Sequence, residues 1–139
     1  MIVLDTNVVS ELMLPRPNAA VTEWIARQPA QTLFTTCITM GEVFYGIALL
    51  PDGRRKADLA TDAQRMFRQD FAGRLLVFDA AAAMHYGEIL GGRQRGGRPT
   101  GILDAQIAAI AMAAGASVAT RNVDDFTGCG VAIINPWVA

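Results

Sequence analysis

Four acidic residues in this sequence stand where they could share a cation. Asp5 closes the apolar run Ile2-Val3-Leu4, and Glu42 follows Leu33-Phe34-Thr35-Thr36. Asp104 opens an alanine-rich stretch, and Asp125 lies within Asn122-Val123-Asp124-Asp125-Phe126, just past Ser117–Thr120. Carboxylates gathered together repel one another and raise one another's pKa unless a cation intervenes. Oxygen donors without histidine or cysteine suit Mg²⁺, with Mn²⁺ as a substitute. The matching chemistry is phosphoryl transfer to water. The ion polarises a phosphodiester and lowers the pKa of the attacking water, and a second ion roughly 4 Å away would stabilise the leaving oxygen.

Each acid also has a local explanation. Asp5 can cap the helix that follows it. Glu42 completes a capping box, Thr39-x-x-Glu42. Asp104 suits the positive end of a helix dipole, and Asp125 suits a turn. What these explanations leave unexplained is the gathering of so many acids in a chain of which only 18% is charged.

That gathering depends on the elements. Residues 1–4 read as a buried strand, and a short helix from Thr6 to Leu14 is closed by Pro15 and Pro17. Asn18 caps a helix with Val21, Trp24 and Ile25 at helical spacing. Leu33–Thr36 is a second strand. Thr39 is read as opening a helix with Met40, Val43, Phe44 and Ile47 on one face, which puts Glu42 in its first turn. A charged helix or hairpin spans Asp52–Phe71, with Leu59, Ala63, Met66 and Phe67 as its apolar stripe. A strand over Leu75–Phe78 and a helix over 80–90 follow. The Gly/Arg-rich segment Gly91–Gly101 precedes a helix over Leu103–Ala114, closed by Gly115. Ser117–Thr120 and Val131–Ile134 complete five strands. Short apolar strands alternate with helices, and no hairpin signal joins two strands. The expectation is an α/β fold, a parallel sheet in a three-layer α/β/α sandwich, formed by residues 1–139 as one domain. Ligands of such sheets bind beyond the carboxyl ends of the strands, where all four acids fall.

Composition narrows the function further. At 139 residues and 52% hydrophobic, the chain can bury a core and is not disordered. No run approaches the roughly 20 apolar residues that span a bilayer, and no basic segment precedes Asp5. A cytoplasmic protein with no membrane partner is expected. Cys37 and Cys129 form no CxxC unit and read as small core residues. The single histidine, His85, excludes zinc sites built from two or three histidines, and it excludes paired-histidine acid–base cleavage of RNA. It reads as structural, on a helix face near Met84 and Ile89. A net charge of −1 means that any phosphate binding must come from a local patch. Arg93, Arg95 and Arg98, close in sequence to Asp104, are the candidates.

Five motifs occur in order: Leu4-Asp5-Thr6-Asn7-Val8-Val9-Ser10-Glu11; Thr39-Met40-Gly41-Glu42-Val43 leading to Tyr45-Gly46; Gly97-Arg98-Pro99 followed by Asp104-Ala105-Gln106-Ile107-Ala108-Ala109; Ala119-Thr120-Arg121-Asn122 through Asp125-Phe126; and Asn135-Pro136-Trp137. Taken together they resemble the PIN-domain nucleases. Within that family they are most similar to the VapC-type toxins of bacterial type II toxin–antitoxin systems.

The resemblance implies that Asp5 and Asp104 are the principal Mg²⁺ ligands and that Glu42 completes the cluster and orients the attacking water. The fourth acidic place falls to Asn122 or Asp125, because many PIN domains have aspartate where this chain has Asn122. Thr6 and Asn7 would position Asp5, and Ser10 would reach the cluster from the next helical turn. The implied substrate is RNA, cut to a 3′-hydroxyl and a 5′-phosphate. The implied partners are a second copy of the chain and a small antitoxin, in a homodimer or larger complex. Leu59, Ala63, Met66 and Phe67 offer one contact surface for the antitoxin. The alternative from another class is a catalytically inactive PIN-like module that binds RNA or antitoxin. A haloacid-dehalogenase-type phosphatase needs an aspartate where Asn7 stands. A receiver domain needs a lysine near the end of the chain, and the only lysine is Lys56.

Overall fold

The three residues Ile2–Leu4 (β1) are the hub of the molecule. In this computed structural model, which describes residues 1–139, β1 pairs in parallel with Leu33–Thr36 (β2) on one side and Ser117–Ala119 (β4) on the other. Leu75–Leu76 (β3) and Ile133–Ile134 (β5) form the two edges, giving the order β3-β2-β1-β4-β5 with every pair parallel. Chain direction through the sheet reverses at β1. The crevice beyond its carboxyl end and that of β4 is therefore the topological switch point at which such sheets bind ligands.

Alternation along the strands builds two cores. Val3 and Val118 face one side, with Ala82 and Ile89 of Ala80–Arg95 (α5), the alanine-rich face of Ile102–Ala113 (α6), and Phe126 of the one-turn helix Val123–Phe126 (α7). Leu4 and Ala119 face the other side. There they meet Thr6–Leu12 (α1), Ala19–Arg27 (α2), Cys37–Ala48 (α3) and Arg54–Arg65 (α4). The three-layer α/β/α sandwich expected from the sequence is what forms.

Several boundaries differ from the expectation. Helix α3 begins at Cys37 rather than Thr39, because Thr36 is the N-cap and its Oγ1 accepts from the Thr39 amide at 3.1 Å. The Thr39–Glu42 capping box is therefore not used. Glu42 moves to the second turn, with its carboxylate free for other work. Helix α5 runs on to Arg95, so half of the Gly/Arg-rich segment is helical. β3 ends at Leu76 and the chain turns away, which brings Phe78 edge-on to Tyr86 at 5.6 Å. After α4, a π-turn over Met66–Asp70, closed by Phe71 N–H to Met66 O, puts Phe67 and Phe71 on one face, 6.3 Å apart.

That arrangement corrects the proposed surface stripe. Ala63 and Phe67 are buried in the core, and Met66 packs against it, so the stripe is mostly internal. Leu59 alone of the four lines an open groove. Of the cysteines, Cys129 is buried as expected but Cys37 is half-buried.

Candidate active site

Asp5, the residue that follows β1, is only 2% exposed and is held from three directions. The Thr6 amide donates to its Oδ1 at 2.8 Å, and Thr120 Oγ1 and Asn7 Nδ2 donate to its Oδ2 at 2.8 and 3.1 Å. With its own proton committed to Asp5, the Thr120 oxygen accepts from Asn7 Nδ2 at 3.2 Å and from the Asn122 amide at 3.0 Å. Asn7 Oδ1 accepts from the Arg121 amide at 3.2 Å. The ends of β1 and β4 are thereby locked together around one carboxylate.

Glu42 reaches the same edge from α3. Its Oε1 accepts from Thr6 Oγ1 at 2.7 Å, and the Thr6 and Thr39 hydroxyls lie 3.0 Å apart. Because the Thr6 proton goes to Glu42, Thr39 must donate to Thr6. The resulting relay Thr39–Thr6–Glu42 fixes the glutamate.

Electrostatics link these two acids to Asp104 and Asp125. Burial pushes the Asp5 carboxyl above its ordinary range. The Thr120 and Thr6 hydrogen bonds draw it back, and the charges of Glu42 and Asp125 push it up again. Asp104, in the first turn of α6, is raised from 3.8 to about 6, first by burial and then by Asp5, Asp125 and Glu42. Asp5 and Asp104 thus each lie within the influence of the other acids. As placed, no three acidic, histidine or cysteine side chains converge tightly enough to enclose an ion between them. The donor set is all oxygen and carries mutual repulsion. It fits an ion that keeps its waters and takes one or two carboxylates, which is how Mg²⁺ is ordinarily held.

The remaining candidates separate. The Asn122 side chain is exposed and makes no hydrogen bond; only its backbone is engaged, the amide donating to Thr120 Oγ1 and the carbonyl accepting from the Asp125 amide. Asp125 is half-buried, and its carbonyl accepts from Thr100 Oγ1 at 2.9 Å. Ser10 is exposed on α1 and lines the same groove as Glu42. Arg93 does not stand with Arg95 and Arg98 on the surface. It is buried, and its guanidinium donates to the carbonyls of Thr127 and of Asp124, the latter at 3.0 Å. Arg93 is thus unavailable for phosphate as placed, while Arg95 and Arg98 remain exposed. Thr120 escaped the sequence reading, which saw only a strand end. The signal was a hydroxyl closing the strand that pairs with the Asp5 strand.

An open parallel sheet with acidic side chains gathered at its switch point defines a three-layer α/β/α protein. The PIN domain family model matches residues 2–127, and the chain belongs to the PIN-domain family. It is 42% identical over 139 residues to the plasmid stability protein StbB of Pseudomonas syringae pv. tomato, covering 100% of both chains. Identity to the VapC ribonuclease Y4jK of Sinorhizobium fredii is 40% over 137 residues, covering 99% of this chain and 98% of the relative. The toxin FitB of Neisseria gonorrhoeae is 36% identical over 137 residues, covering 99% of each chain. The crystal structure of FitAcB from the same organism superposes with a TM-score of 0.94, covering 100% of both chains at 36% identity. The motif resemblance to VapC-type proteins is met over essentially the whole chain.

Proposed function

We propose that this protein is the toxin of a bacterial toxin–antitoxin pair, a Mg²⁺-dependent endoribonuclease whose site is the cluster of Asp5, Glu42, Asp104 and Asp125. The observation that carries this reading is the geometry at the switch point of the sheet, where Thr6 holds the buried Asp5 through its amide and Glu42 through its hydroxyl. Membership of the PIN-domain family and similarity to a VapC ribonuclease and a toxin support it.

Asp5 and Asp104 would hold the Mg²⁺, with Glu42 and Asp125 completing the acidic set. Bound there, the ion supplies Lewis-acid activation of the phosphodiester and of water. The chain's own residues supply the positioning. Thr120, Asn7 and the Thr6 amide keep Asp5 in one orientation, so little reorganisation accompanies binding. The Thr39–Thr6 relay aims Glu42, the residue placed to accept a proton from the attacking water. Arg98, exposed on the approach to Asp104, is a phosphate contact in this reading.

A groove of about 1050 Å³ runs from Glu42 between α1, α3 and α4, past Met13, Leu14, Val43, Ile47 and Leu59. We assign it to the antitoxin, docked by its apolar side chains. No helix is long and apolar enough to cross a membrane.

The test is cleavage of total bacterial RNA by the purified chain, in Mg²⁺ and in EDTA, beside Asp5→Asn. Discrete fragments ending in 5′-phosphate that require both the metal and Asp5 are expected. Equal behaviour of wild type and variant, with no Mn²⁺ binding by either, would leave a catalytically inactive binding module.

A further inference from the structure

A second polar pocket opens beside the acidic cluster, at the carboxyl ends of β4 and β5. It measures about 470 Å³ and is lined by Arg121, Asn122, Val123, Asp124, Asp125 and Asn135. Its outstanding feature is the state of Arg121. The side chain is exposed, and its guanidinium makes no ion pair or hydrogen bond, although two aspartates line the same pocket. It lies instead over the ring of Trp137, 5.1 Å from the centroid. That contact occupies the cation without using its N–H donors, none of which is paired.

Both ends of this arrangement are anchored. The Arg121 amide donates to Asn7 Oδ1, and Asn7 in turn donates to Asp5, so the backbone of Arg121 is indexed to the acidic cluster by two hydrogen bonds. Trp137 packs against the core, and its amide donates to Asn135 Oδ1 at 3.0 Å. A planar, permanently charged fork is thus carried on a backbone tied to the acidic cluster, over Trp137 and without a carboxylate partner. Planar N–H forks of this kind match the oxygens of a phosphodiester. A long side chain loses rotamer freedom on binding, and the contact with Trp137 lessens that loss.

We propose that Arg121, stacked on Trp137, is a phosphate-binding residue that takes the phosphodiester next to the one being cut, with the adjoining pocket receiving the nucleotide attached to it. This rests on the ribonuclease reading. It adds a positive contact to a site whose acids would otherwise repel the strand, and it sets the direction in which the strand crosses the sheet edge, from Asp104 toward β5.

The experiment is binding of a 5′-fluorescein single-stranded RNA by the full chain in EDTA, where cleavage is blocked, followed by anisotropy across a salt series. Arg121→Ala should weaken binding several-fold. It should also reduce the slope of log Kd against log salt by about 0.7, the value for one phosphate contact on a single strand. Arg121→Lys should keep the slope and lose part of the affinity. Trp137→Ala, checked for an unchanged melting temperature, should keep the slope and weaken binding, because the charge remains but its orientation is lost. An Arg121→Ala variant with wild-type Kd and slope would overturn this assignment while leaving the ribonuclease reading intact. Failure of the wild type to bind RNA at all in EDTA would overturn this assignment, whereas the ribonuclease reading stands or falls with the cleavage test in Mg²⁺.

Discussion

Thr120 Oγ1 donates a 2.8 Å hydrogen bond to Asp5 Oδ2, joining the ends of the two central neighbouring strands through the most buried acid of the site. This bond draws the Asp5 pKa downward against the upward push of burial. Thr120→Val should therefore raise that pKa and move the acidic limb of the cleavage profile to higher pH. The variant should also cost roughly 1–3 kcal/mol of stability by leaving a buried acceptor short of a donor. Thr120→Ser should restore both. An acidic limb that stays in place in Thr120→Val would refute the coupling.

The raised carboxyls also predict how the metal-free protein responds to pH. Asp104 titrates near 3.8 when unfolded and at about 6 when folded, so between these values the folded state binds more protons. Stability should accordingly fall as pH rises from about 4 to about 6 and level off above, with Asp5 contributing in the same direction. Millimolar Mg²⁺ should reverse the loss at neutral pH, since binding to the folded state alone stabilises it. Asp104→Asn should raise the metal-free melting temperature at pH 7 and abolish the response to Mg²⁺. Thermal melts in EDTA and in Mg²⁺ across this range decide the matter, and a metal-free melting temperature that climbs with pH would contradict it.

Much of this arrangement was legible in the residues. Asp5, Glu42, Asp104 and Asp125 each sit just past an apolar run or at a helix start. Strand–helix alternation sends Asp5 and Asp125 to one edge of the parallel sheet, while Asp104 reaches it on α6, which follows α5 with no strand between them. What was not legible depended on contacts between segments distant in sequence. Thr36 and Thr39 are both plausible caps, and only the end of β2 decides between them. Arg93 looks like part of a basic surface run, yet packing of α5 against the α7 turn buries it. Thr120 carries no local mark of function, because its role comes from strand pairing with β1. The Leu59–Phe67 stripe is equally consistent with core and with interface until the π-turn is seen to swing Phe67 inward.

The fourth acidic position can be separated by a pair of variants. Asp125 acts on both Asp5 and Asp104, whereas the Asn122 side chain is exposed and unbonded. Asp125→Asn should lower cleavage on the order of tenfold, as loss of a supporting carboxylate does at metal sites, and should lower the Asp104 pKa by removing a like charge. Asn122→Ala should leave cleavage little changed. Asn122→Asp should strengthen Mn²⁺ binding by adding a charge to the rim. Titration calorimetry with Mn²⁺ and cleavage rates measured side by side would show whether Asn122 instead holds the place; a larger loss in Asn122→Ala than in Asp125→Asn is the contrary result.

Arg93 tests whether the turn carrying Asp125 needs its buried clamp. Its guanidinium binds the carbonyls of Asp124 and Thr127, and Thr100 Oγ1 holds the Asp125 carbonyl from the opposite side. Arg93→Met preserves much of the volume but removes both charge-assisted bonds, leaving two carbonyls without donors. The expected cost is about 3 kcal/mol, or roughly 10 °C in melting temperature. Cleavage measured well below the melting temperature should also fall, because the α7 turn no longer presents Asp125 to the cluster. Arg93→Lys can replace only part of the two-point contact, so it should fall between wild type and Arg93→Met in both measurements. If Arg93→Met melts early yet cleaves at the wild-type rate in the cold, the clamp serves the fold alone and Asp125 finds its place without it.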